Sequence, residues 1–77
     1  MDHVEYREFE AMCCDKDSIV ETIETYNRIY NKNFKLIEYI EEIEVGFAHI
    51  SGNVSLQDIF DLGCQYINTV NENLKNK

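Results

Sequence analysis

The chain has no proline, no tryptophan and only three glycines. Strand-rich domains usually punctuate their turns with glycine and proline, so this scarcity points to helices joined by short turns. Cysteine is sparse and odd in number: Cys13 and Cys14 are adjacent and Cys64 stands alone. That pattern builds no disulfide framework and lacks the Cys-x-x-Cys spacing of redox or zinc sites, so a reduced, cytoplasmic setting is expected. No apolar run is long and uncharged enough to cross a bilayer, and no charged start followed by an apolar core marks a signal peptide.

Positive charge is the most informative shortage. The formal net charge is −8. Between Leu36 and Leu74 there is no lysine or arginine, while Glu38, Glu41, Glu42, Glu44, Asp58, Asp61 and Glu72 all fall inside. Direct nucleic-acid binding draws its affinity from basic residues that neutralise phosphates, and anionic membranes attract the same residues, so neither partner is expected. A protein partner with a basic surface fits the charge instead. A solvated acidic surface that only confers solubility is the plain alternative.

What is present fits one small domain, residues 1–77. The hydrophobic share of 44% is ordinary for a folded chain and argues against disorder. Ser18 followed by Glu21 has the form of a capping box, and Ile19, Ile23, Tyr26, Ile29 and Tyr30 then make one helical stripe. Ser55 followed by Asp58 opens a second such segment, with Leu56, Ile59, Phe60, Tyr66, Ile67, Val70 and Leu74 sharing a face. Cys64 lies at the margin of that stripe, and Cys14 and Cys64 are read as small core or boundary residues. At the N-terminus, Asp2 and Glu5 could cap a short helix carrying Tyr6, Phe9 and Cys13. Fraying is expected from about Asn73.

The stretch IEYIEEIEVGF, Ile37 to Phe47, is ambiguous. As a strand it has no clean face, because a glutamate interrupts each apolar row. A turn near Glu41-Glu42 would also lack the Asn-Gly or Gly-rich chemistry of tight hairpins. As a helix it places Leu36, Tyr39, Ile40, Ile43, Phe47 and Ile50 within an arc of about 100°, with Glu38, Glu41, Glu42 and His49 opposite. Asn33 would cap it and Ser51-Gly52-Asn53 would stop it. The expected fold is therefore all-α: a small antiparallel bundle of three main helices of roughly 13 to 20 residues and a short leading one.

Chemistry is hard to place on such a chain. Glutamates three and four apart can build carboxylate metal sites, but those sites pair with an acid-x-x-His, and Gly46 sits three residues before His49. No phosphate-cradling glycine loop is present. The two-helix unit around Gly52 is no DNA reader, since Leu56 to Asn73 carries three acids and no base. No enzymatic activity, metal or cofactor is expected. The expectation is an acidic binding module whose partner-binding residues are Glu38, Glu41, Glu42, Val45, Asp58 and Asp61. Phe34 and Val45 point among the glutamates on the helical wheel, and Val45, flanked by Glu38, Glu41 and Glu42, is the apolar anchor inside a charged rim. An inhibitor that occludes the basic, nucleic-acid-binding surface of a partner is the favoured form, the physical type of some phage counter-defence and immunity proteins. The alternative is a homodimeric structural or assembly subunit, whose exposed apolar surface pairs with a second copy.

Overall fold

The computed structural model describes residues 3–75. Five elements follow in order: β1 (Glu5–Cys13), α1 (Lys16–Tyr30), β2 (Lys35–Glu41), β3 (Gly46–Val54) and α2 (Leu56–Lys75). The strands form one antiparallel sheet in the order β1-β3-β2. Both helices share a single core with the sheet, in which Ile19, Ile23 and Tyr26 of α1 and Leu62 of α2 meet Ala48, Ile50 and Val54 of β3. The helices therefore cover one face of the sheet and leave the other open.

This architecture corrects the all-α bundle. Two of the expected helices form; the leading helix and the one through the middle of the chain are strands. In β1, Phe9, Ala11 and Cys13 point to the core and Tyr6, Glu8, Glu10 and Met12 to the open face. Phe9 and Cys13 fit a helical stripe as well as a strand face, and nine residues are too few for periodicity to decide. Asp2, the proposed cap, lies outside the described residues.

The middle segment misled through two local devices. A bulge between Leu36 and Glu38 leaves Ile37 as an extra residue, so Leu36 and Tyr39 both face the core while Glu38 and Ile40 face outward. No single parity could look clean across that phase change. The turn is residues 42–45, closed by the Glu42 N–H donating to the Val45 carbonyl at 2.8 Å. It needs no glycine, but Gly46 just after it does: a Cβ there would overlap the Tyr39 ring. Ser51-Gly52-Asn53 is not a stop signal; it lies inside the central strand. A Cβ on Gly52 would stand 3.3 Å from the Asn33 carbonyl oxygen and the Phe34 Cα, so this glycine admits the α1–β2 connection against β3.

Phe34 does not point among the glutamates. It is 4% exposed and packs edge-on against Phe9 and Tyr26. Asn27 clamps its backbone, donating to the Phe34 carbonyl and accepting from the Phe34 N–H, both at 2.9 Å. Helix α1 begins at the Asp15 cap, not at the expected Ser18–Glu21 capping box: the Asp15 carboxylate accepts from the Ser18 N–H at 2.7 Å, so Ser18 already lies in the first turn. The helix ends at Asn31 in the left-handed region with φ 54°. Helix α2 runs to Lys75, and near its end Asn73 donates from Nδ2 to Ser18 Oγ at 2.9 Å, tying it to α1.

Helix α2 is also rotated from its expected face. Leu62, Asp58 and Thr69 are buried, Ile59 and Tyr66 half-buried, and Leu56, Phe60, Ile67 and Leu74 exposed. Hydrogen bonds make this possible, since a polar residue can face a core when its polar atoms are satisfied. Thr69, for example, donates to the Gln65 carbonyl at 3.0 Å.

Candidate functional site

Of the six candidate residues, Asp58 and Asp61 stand on α2. Asp58 is a structural residue: its N–H donates to Ser55 Oγ at 3.0 Å while its carboxylate accepts from the Ser55 N–H at 3.1 Å, closing a reciprocal cap. The same carboxylate accepts from the Tyr26 hydroxyl at 3.1 Å and pairs with Lys32 Nζ at 3.2 Å. Burial alone would raise its pKa, but the Ser55 N–H, Lys32 and Tyr26 outweigh it and hold the carboxyl below its ordinary value. Tyr26 answers in the opposite sense: burial, then the neighbouring Asp58 carboxylate, pushes its phenol well up. Asp61 lies on α2 and accepts from Gln57 Nε2 at 2.9 Å.

The other four proposed residues lie on β2 and the turn after it. Glu38 and Glu41 belong to β2, and Glu42 and Val45 to the β2–β3 turn with Glu44. Val45 is half-buried, and Ile43 beside it is the fully exposed apolar side chain of the turn. The acidic segment is thus a hairpin, and its charge projects from one end of the sheet.

Cross-strand register then brings in residues that helical wheels could not. Glu10 on β1 and Glu38 on β2 both stand opposite His49 of β3, in one row across the open face. Glu8 reaches the same histidine, with 3.1 Å between its carboxylate and His49 Nε2. Glu8 thus contacts the imidazole on the uncovered face, and Glu10 and Glu38 are its register neighbours on either side. The next row toward the hairpin is apolar: Met12 and Ile40 flank Phe47. On the far side Lys35 and Glu8 flank Ser51. Helical wheels for residues 5–13 and 36–50 cannot bring Glu8 and Glu10 to His49; the alternation Tyr6, Glu8, Glu10, Met12 is the sequence signal for the β1 pair, and His49 joins them only through strand register. Among the described residues no group of three or more His, Cys, Asp and Glu is arranged to hold a metal ion.

The cysteines carry no shared site. Cys13 is buried, and burial raises its thiol pKa. Cys14 and Cys64 are exposed, not the core or boundary residues expected of them. Tyr66 ties the end of β1 to α2, accepting from the Cys14 N–H at 2.7 Å, and burial pushes its phenol up to about 12. Between β1 and α2 lies an open apolar groove of about 510 Å³, lined by Phe9, Ala11, Cys13, Leu62, Gly63 and Ile67 among others.

No described helix is long and apolar enough to cross a membrane. Comparison of the chain with family models, characterised proteins and solved structures returned no match.

Proposed function

We propose that this chain is an acidic protein-binding module whose working surface is the open face of its sheet and the β2–β3 hairpin. The observation that carries this is the uncovered row Glu10-His49-Glu38, with Glu8 on the same imidazole. Beside it lies the apolar row of Met12, Phe47 and Ile40. An apolar patch beside a charged one is the usual anatomy of a protein interface. The glutamates steer a basic partner into contact and make association salt-sensitive; the apolar row supplies contact area. Inhibition by occlusion of a basic groove, such as a nucleic-acid-binding surface, is the function this supports best. The test is capture of partners from lysate at low and high salt by the wild-type protein and by a Glu8→Gln, Glu10→Gln, Glu38→Gln variant. A partner held by the wild type at low salt and lost from the variant supports the proposal; equal retention contradicts it.

A second reading, self-association, is favoured by one feature of α2. Phe60, Ile67 and Leu74 recur every seventh residue and are 68%, 59% and 62% exposed. A sevenfold apolar recurrence on a helix surface suits a second helix. A salt-insensitive dimer by light scattering, with melting that rises with protein concentration, would favour it.

A further inference from the structure

The two edges of the sheet are not alike. Strand β2 is interrupted by its bulge, opens with Lys35 and is shorter, at seven residues. Bulges, lysines and short length are the devices that blunt an edge against further pairing. Strand β1 has no bulge, no lysine and no shortening; its charges are Glu5, Arg7, Glu8 and Glu10, which leave its backbone free and set the sign of what can pair there. It runs nine residues in unbroken register from Glu5↔Val54 to Cys13↔Gly46, without lysine, proline or bulge. Its one cation, Arg7, is turned inward onto its own chain, donating from Nε to the Val54 carbonyl at 3.0 Å and pairing with Glu5 at 3.1 Å. Alternate backbone N–H and C=O groups of β1 therefore face away from β3, with no strand among the described residues to receive them.

The surroundings of this edge specify what could receive them. On the helix side the apolar groove of about 510 Å³ runs between β1 and α2. Gly63 narrows nothing there: a Cβ at that position would meet no atom within 4 Å. On the other side Glu8 and Glu10 project from the open face. A strand added to β1 thus presents one set of alternate side chains to an apolar groove and the other set to carboxylates. A second copy of this chain meets that edge badly. In the centred antiparallel registers Glu8 and Glu10 face each other or themselves, and like charges directly opposite are destabilising.

We propose that β1 is a docking edge for an extended segment of a partner protein in which basic and apolar residues alternate. The segment adds as a fourth strand, its basic side chains over Glu8 and Glu10 and its apolar ones in the groove beneath α2. The charge half of this proposal rests on the acidic-face function above; the backbone half does not.

The probe is a capped peptide alternating lysine and valine over the nine-residue length of β1, titrated at low salt. Two N-methylated forms of it are run in parallel, each blocking the backbone amides of one edge. Binding should slow amide hydrogen exchange in β1 and leave β2 unchanged. One N-methylated form should lose at least about tenfold in affinity and the other keep it, because only one edge of the peptide pairs with β1. Glu8→Gln with Glu10→Gln should weaken the unmodified peptide about tenfold. Absence of binding, equal affinity of the two N-methylated forms, protection at β2, or a dimer of this chain with protected β1 amides would each overturn strand addition. If the N-methylated forms are equal but the glutamine variant still loses binding, the acidic-face function stands and the edge fails. If edge dependence holds but the glutamine variant binds unchanged, the acidic chemistry assigned to the partner is overturned.

Discussion

Asp58 is where both helices and the α1–β2 connection converge, through Ser55, Tyr26 and Lys32. Replacing it by alanine removes a cap and leaves a partly buried ammonium and a buried phenol without their acceptor. Asp58→Ala should cost about 2 kcal/mol in urea denaturation. Because the folded carboxyl titrates below its ordinary value of 3.8, its stabilisation is fully present above that value and is lost as pH falls through the lower, folded value. The variant should accordingly lose less stability on acidification than the wild type. Gly46 offers a second check, since only its missing Cβ leaves room for the Tyr39 ring. Gly46→Ala should destabilise by about 1–3 kcal/mol, and pairing it with Tyr39→Ala should recover part of that in a double-mutant cycle. A thiol reagent should label exposed Cys14 and Cys64 well before buried Cys13, whose burial raises its pKa.

Helices α1 and α2 are legible because each carries a long stripe at helical spacing, and α2 also opens with the Ser55–Asp58 pair; the start of α1 is displaced from Ser18 to Asp15. The strands are not legible. Residues 5–13 and 35–54 owe their form to tertiary features: the bulge at Ile37, the tolerance of Gly52 for the crossing backbone, and the pairing of β1 with a strand far along the chain. Low glycine and proline content misleads as well, because the only hairpin among the described residues closes through a turn of glutamates, isoleucine and valine. The acidic hairpin part of the candidate site could be seen in one dimension; Glu8, Glu10 and His49 meet only through register. The face of α2 gives this scale its test. Leu62→Ala should cost about 2–4 kcal/mol, whereas Phe60→Ser, on the exposed side, should stay within about 0.5 kcal/mol. A reversed pattern would mean that α2 buries its sequence-predicted stripe after all.

At the scale of the whole molecule, two helices shield one sheet face and the chain's charge asymmetry decides what the other face can meet. Cations are confined mostly to the first half and the last residues, so the hairpin end carries glutamates with no lysine or arginine between Leu36 and Leu74. Helix α2 presents the competing surface, an apolar ridge with no glutamates near its centre. A lysine-rich peptide titrated into the isotopically labelled protein separates the two most directly, with backbone amide shifts read along the chain at low salt. Shifts gathered on β1, on Glu38 to Val45 and around His49, and suppressed by added salt, are what an acidic sheet-face binder predicts. Shifts confined to α2, or spread evenly over the molecule and indifferent to salt, would contradict it.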